Sequence, residues 1–157
     1  MTVKAILACD ADWGIGKDGG LPWPHNPADL KWFKESTLNH TVVMGKATWD
    51  SLPVKPLPNR VNVVVSSQDI LAKVDVTSIK QLRRRLSSMD PDQDVWIIGG
   101  ARLIEGMMDY IDEFHLSQIS GTYNCDTFLP STVIQELYTL TSSQFVGDVY
   151  VDTWSKR

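Results

Sequence analysis

Four short apolar runs punctuate the first two-thirds of the chain: Val3–Cys9, Thr41–Met44, Val61–Val65 and Val95–Ile98. They are rich in Val and Ile and alternate only weakly, as strands do when a largely parallel sheet buries both their faces. Between them, helical patterns fall over Pro27–Leu38, Lys46–Leu52, Ser78–Leu86 and Ala101–Met108. Strand–helix alternation predicts right-handed crossovers with helices on both faces of the sheet. The last third reads differently. Glu113–Ser120, Ile134–Ser142 and Asp148–Trp154 are strand-like with partial alternation, and Gly147-Asp148 suits a hairpin turn. The pattern therefore predicts one mixed α/β sheet, mostly parallel with an antiparallel C-terminal edge, in a single domain spanning 1–157.

The first helix is the best specified. Asn26 is a good N-cap, Pro27 suits the first helical position and Asp29 lies three residues after the cap. Leu30, Phe33 and Thr37 share one face at helical spacing.

Composition adds bounds. A chain of 157 residues with 43% apolar and 22% charged residues suits one globular core. A net charge of −4 argues against nucleic acid as the main partner, and an anionic ligand then needs local positive groups. The run Arg83-Arg84-Arg85 reads as a solvated helix face. No secretory leader and no membrane-length apolar run is visible, so a cytoplasmic protein is expected. Cys9 and Cys125 fit neither a metal spacing nor a disulfide framework, and Cys9, in an apolar run, is expected to be a buried free thiol. His25, His40 and His115 are scattered, so no metal site is expected. No spacing reads as a nucleophilic triad.

Candidate chemistry concentrates between Ile15 and Thr37. Asp29 is either a first-turn acid facing the helix dipole or a carboxylate turned into a cleft beside Leu30 and Phe33. In the second case desolvation raises its proton affinity, and it can grip an amidine-like N–C–N edge by two hydrogen bonds. The loop from Asp10 to Gly20 carries Gly14, Gly16, Gly19 and Gly20, which allow rearrangement at low cost. Leu21 is the apolar residue best placed as a lid, and Trp23 is stiffened between Pro22 and Pro24. Two helix starts follow buried strands: Gly45-Lys46-Ala47-Thr48 and Gly99-Gly100-Ala101-Arg102. Their backbone N–H groups suit a pyrophosphate clamped between them, with Ser66 and Ser67 adding hydroxyl donors. The usual G-x-G-x-x-G fingerprint is absent. Arg60, beside the rigid Pro56-Leu57-Pro58-Asn59, can present its fork to a carboxylate.

The spacing Gly16, Leu21-Pro22-Trp23, Asp29, Phe33, Thr37 closely resembles the signature of the dihydrofolate reductases. Val43-Met44-Gly45-Lys46-Ala47-Thr48-Trp49, Pro56-Leu57-Pro58-Asn59-Arg60, Ser66-Ser67, Ile97-Ile98-Gly99-Gly100 and Asp126-Thr127 extend the resemblance over essentially the whole chain. It implies a short bacterial-type member, of the sort phages and plasmids also carry. The implied architecture is an eight-stranded sheet with about four flanking helices. The implied reaction is NADPH-dependent reduction of 7,8-dihydrofolate, with hydride passing to pterin C6 and a proton to N5. By resemblance, Asp29 holds pterin N3 and the 2-amino group, Ser117 replaces a threonine that bonds that acid, Leu21 is the lid and Trp23 orders a water. Ile6, Leu30, Phe33 and Leu52 form apolar walls and Arg60 pairs with the glutamate α-carboxylate; Lys34 and Lys55 join the substrate-binding set. Ala8, Ile15, Gly16 and Gly20 fall near the nicotinamide end. Gly45, Lys46, Ala47 and Thr48 match a phosphate-binding helix start, and Ser66, Ser67 and Gln68 lie where the 2′-phosphate binds. Ile98, Gly99, Gly100, Ala101, Arg102, Leu103 and Ile104 complete the cofactor set, with Gly99-Gly100 matching a cis peptide.

Departures from the pattern are also legible. Lys46 stands where arginine is frequent, Ala47 where some relatives have histidine, Ala101 for a third glycine and Ile104 for a tyrosine. One extra residue falls in Pro24-His25-Asn26. Antifolate inhibitors and a monomer are further expectations. Two alternatives stay open at this level: a reductase of the same fold acting on another ring, as in riboflavin synthesis, and a folate- or dinucleotide-binding module without turnover.

Overall fold

The computed structural model describes every residue except Met1, Gly19, His25, Asp69, Leu71, Ala72, Lys73 and Pro91. Gly19 of the glycine loop and His25 thus lie outside the described residues. The elements run β1 (Thr2–Cys9), β2 (Gly14–Gly16), α1 (Pro27–Thr37), β3 (Thr41–Gly45), α2 (Lys46–Ser51), β4 (Val61–Val65), β5 (Asp75–Thr77), α3 (Ile79–Ser87), β6 (Asp94–Ile97), α4 (Ala101–Met107), a 3-10 turn (Met108–Tyr110), β7 (Glu113–Gln118), β8 (Thr127–Phe128), α5 (Ser131–Leu137), β9 (Tyr138–Val146) and β10 (Val149–Lys156). Eight strands form one sheet in the order β5-β4-β3-β6-β1-β7-β10-β9, and β2 pairs with β8 separately. The predicted mixed sheet with an antiparallel C-terminal edge is therefore present.

The chain forms two compact units, Met1–Ala5 with Thr37–Ile111, and Ile6–Ser36 with Asp112–Arg157. The first is a parallel βα unit. Val43 of β3 stands opposite Val63 of β4 and Ile97 of β6, and Val3 of β1 opposite Val95. These valine-rich strands are buried on both faces because helices cover them, which is why their sequence hardly alternates. Helix α3 starts with a capping box in which Ser78 Oγ accepts from Gln81 N–H at 3.1 Å and Gln81 Oε1 accepts from Ser78 N–H at 3.2 Å.

The second unit is antiparallel where β7, β10 and β9 meet, with Ser117 opposite Val151 and Val149 opposite Val146. Gly147 turns the β9–β10 hairpin at φ +64, a conformation that favours glycine. Phe114 and Tyr138, both fully buried, meet edge to face at 5.1 Å.

Two differences from the sequence pattern have physical causes. Residues 134–137, expected to be strand, close a fifth helix: Ile134 of α5 is fully buried, and tertiary burial overrides the β-branched local preference of Thr132-Val133-Ile134. The strand begins only at Tyr138. The hairpin also exposes Leu140, Phe145 and Tyr150, an apolar group that the pattern did not single out.

Candidate active site

In the second unit, Asp29 sits in the first turn of α1 with its side chain partly withdrawn from water. Its own N–H donates to Asn26 Oδ1 at 3.0 Å, so Asn26 caps the helix as expected. The buried Ser117 of β7, 1% exposed, hydrogen-bonds to the Asp29 carboxylate. Burial pushes the Asp29 carboxyl above its ordinary value; the Ser117 hydroxyl opposes this and the negative charge of Asp148 adds to it. A half-dry carboxylate with a raised proton affinity fits acid or anchoring chemistry better than surface capping.

Ile6 and Ile15 are buried, while on α1 Phe33 is half-buried and Leu30 is exposed. Leu21 is 65% exposed. Trp23 instead is buried, edge-on to Tyr123 at 5.8 Å, in a cluster with Ile119 and Val149 that Ala8 joins. Gly16 pairs with Thr127 across β2–β8, Gly20 is exposed, and Lys34 points to solvent.

The glycine loop is anchored by a residue that the sequence did not single out. Asp10 is 2% exposed and accepts from the N–H groups of Gly14 (2.8 Å), Asp12 (3.0 Å) and Tyr123 (3.0 Å), and from the Cys125 thiol (3.4 Å). Burial alone would raise its proton affinity, but these donors together hold it below the ordinary carboxylate range. Asp126 likewise accepts from Asp18 N–H at 2.9 Å. An aspartate two and four residues before its N–H donors is the local signal for such a loop-closing acid. Cys9 is a buried free thiol, as expected, and burial raises its pKa to about 12.

In the first unit, α2 and α4 begin at Gly45 and Gly100, and neither start has a side-chain cap. Gly45 N–H donates to Gly99 O at 2.9 Å, the Gly99-Gly100 peptide is cis, and a Cβ on Gly100 would lie 3.9 Å from the Thr48 hydroxyl. Two neighbouring helix starts, glycine backbone, Thr48 and Lys46 form a donor set suited to a diphosphate, so the residues present fit a dinucleotide. The Lys46 ammonium pairs with Asp50 at 2.8 Å, and Ala47 and Arg102 are exposed. Leu103 and Ile104 are buried, so their side chains serve the core while Ile104 N–H bonds Gly100 O at 3.1 Å. Ile98 is half-buried and Ala101 opens α4. At the end of β4, Ser66 Oγ accepts from Gln68 N–H at 3.0 Å, while Ser67 and Gln68 face solvent.

Arg60 is also in this unit. Its Nε donates to Pro58 O at 3.0 Å and its Nη1 to the buried Thr37 hydroxyl at 3.1 Å, which fixes the plane of the fork. Leu52 ends α2 half-buried. The Lys55 ammonium lies over the Trp49 ring and donates to the carbonyls of Trp49 and Asp50 at 3.3 Å, closing the C-terminal end of α2. Among the described residues no cluster of His, Cys, Asp or Glu can hold a metal ion, and no helix is long and apolar enough to cross a membrane.

A family model described as dihydrofolate reductase matches residues 2–152. The dihydrofolate reductase of Buchnera aphidicola from Acyrthosiphon pisum is 34% identical over 83% of this chain and 80% of its own length. That of Mycobacterium leprae is 37% identical over 82% and 76%, and that of Bacillus subtilis 35% over 82% and 75%. A solved dihydrofolate reductase from Enterococcus faecalis, complexed with NADP(H) and RAB-propyl, has a TM-score of 0.85 at 30% identity, covering 99% of this chain and 96% of that one.

Proposed function

The chain belongs to the dihydrofolate reductase family, and from that premise we propose how its own residues carry the family's reaction. It is an NADP-dependent oxidoreductase that reduces 7,8-dihydrofolate to 5,6,7,8-tetrahydrofolate, a carrier for thymidylate and purine synthesis. The observation that carries the residue assignment is Asp29, an acid that is partly desolvated, capped at its backbone and bonded by a buried hydroxyl. Its two oxygens match the N3 and 2-amino donors of a pterin, and its raised proton affinity favours the protonated ring. Ser117 holds the carboxylate in one orientation. Ile6, Leu30, Phe33 and Leu52 give the flat ring and the benzoyl group apolar contacts. Arg60, its guanidinium plane set by Pro58 and Thr37, presents its fork to the glutamate carboxylate. Lys34 and Lys55 complete the substrate side.

The helix starts at Gly45 and Gly100, with Lys46, Thr48, Ser66, Ser67 and Gln68, would hold the phosphates of NADPH. When bound, NADPH supplies the hydride. The chain's own contribution is to orient two rings, exclude water under Leu21 and stabilise the protonated pterin. Antifolates compete for Asp29 on this reading. We read residues 1–157 as one domain of this family, whose model matches residues 2–152. Two free thiols support a cytoplasmic location.

The test follows NADPH absorbance on addition of dihydrofolate, with Asp29→Asn beside the native chain. Native turnover with a loss of roughly 100-fold or more in the variant at neutral pH is expected, NADPH binding being unchanged. Equal turnover would remove Asp29 from the mechanism.

A further inference from the structure

Lys46 brings a positive charge to the cofactor side of the molecule, and its ammonium is already engaged. It donates to Asp50 Oδ2 at 2.8 Å, four residues further along α2. The pair runs from the first residue of that helix toward its end at Ser51. The backbone assigned to the phosphates lies at the opposite end: Gly45, whose N–H bonds Gly99 O at 2.9 Å, and Gly100, which faces the Thr48 hydroxyl. We propose that Asp50 is a positioning residue for cofactor binding: as counter-ion it holds the Lys46 ammonium along α2 and away from the dinucleotide phosphates, so that binding must exchange a carboxylate for a phosphate.

The inference rests on the reading of Lys46 as a phosphate ligand and deepens it. An ammonium is a compact point charge, and a carboxylate in contact with it cancels much of its field. The order of the pair is also the poor one for a helix. A cation at the start and an anion near the end both oppose the macrodipole, so Asp50 does little for α2 itself. The other members of the set on this side, Ala47, Ser66, Ser67 and Gln68, are neutral. Arg102, at the start of α4, forms no ion pair among the described residues, so of these two cations Lys46 is the one held by a carboxylate. Lys55 also reaches Asp50, but at its backbone carbonyl (3.3 Å), a contact that replacing the carboxylate leaves in place. The side chains of Lys46 and Asp50 are 37% and 55% exposed, which limits the pair to the modest strength of solvated ones.

The test is the Kd of NADPH for the full chain, read from quenching of tryptophan fluorescence with no dihydrofolate present. Asp50→Asn should lower that Kd by about two- to fivefold, the range that solvated ion pairs allow. Asp50→Glu keeps a carboxylate within reach of Lys46 and should return the Kd toward the native value. Lys46→Met should raise it, and in that background Asp50→Asn should change it little, because the counter-ion then has no ammonium to hold. A merely structural role for Asp50 would give the same shift with and without Lys46. NADH, which lacks the 2′-phosphate, separates the phosphates. A gain shared by both dinucleotides places the freed ammonium at the diphosphate and a gain confined to NADPH places it at the 2′-phosphate; either upholds the inference. An Asp50→Asn variant that binds NADPH no more tightly than the native chain, while Lys46→Met binds it more weakly, overturns the inference and leaves the reading of Lys46 standing. A Lys46→Met variant that binds NADPH as the native chain does refutes that reading, and the inference with it.

Discussion

Removing the Ser117 hydroxyl isolates the one interaction that favours the ionised form of Asp29. In Ser117→Ala the carboxylate keeps its burial and its neighbour Asp148 but loses its donor. A hydrogen bond to a charged group contributes roughly 1.5–3 kcal/mol, and here Asp29 is only partly buried, so water replaces part of it and about 1 kcal/mol remains. That corresponds to about 0.7 pH unit. The alkaline limb of kcat/KM should therefore move up by about that amount, since Asp29 keeps its proton to higher pH. The stability sign follows from the same shift. The folded-state pKa of Asp29 already lies above the unfolded value, so its favourable contribution is complete below the unfolded value and is lost as pH rises through the folded one. In Ser117→Ala that loss is larger by about 1 kcal/mol and extends further, so urea denaturation of the two proteins should diverge from acid toward neutral pH. Ser117→Thr restores the donor and should restore both profiles. A limb that moves down in Ser117→Ala, or one that Ser117→Thr leaves displaced, would refute the hydrogen-bond argument.

Arg60→Leu removes a fork whose plane Pro58 and Thr37 already fix, and should raise the KM for dihydrofolate by roughly 10–100-fold while leaving the Kd for NADPH within about twofold; steady-state kinetics with fluorescence titration of NADPH check it, and equal weakening would count against the glutamate contact. Asp10→Asn puts an amide where three backbone N–H groups converge, and should cost about 2–4 kcal/mol in urea denaturation. Because the folded-state pKa of Asp10 is depressed, native stability from this residue is present above the unfolded value and is lost as pH falls through the folded one, so the variant's deficit should narrow in acid.

Local patterns carried the parallel half of the molecule far. Val42-Val43-Met44, Val63-Val64 and Val95-Trp96-Ile97 declare buried strands by composition alone, and Asn26-Pro27 declares a helix start that the Asn26–Asp29 bond realises. Each ending of α1 to α4 falls within about one residue of its predicted position, since caps and turn residues act over a few bonds. Asp29 was legible as a candidate because its spacing from Leu21-Pro22-Trp23 is local too.

What the chain could not declare locally is what depends on distant partners. Residues 134–137 read as strand and fold as helix, where Ile134 is fully buried, and burial is decided only in the folded molecule. Asp10 looks like an ordinary loop acid until Tyr123 and Cys125, more than a hundred residues on, bring donors to it. Lys55 shows no capping signal in the sequence, and only the fold brings its ammonium onto the carbonyls that end α2. Sequence by itself determined the periodicities, the caps and the single acid at its motif spacing, because those are short-range properties of the backbone and of side-chain order. Tertiary structure decided desolvation, hydrogen-bond partners and the charge beside that acid, because each depends on atoms that only folding brings within a few ångströms.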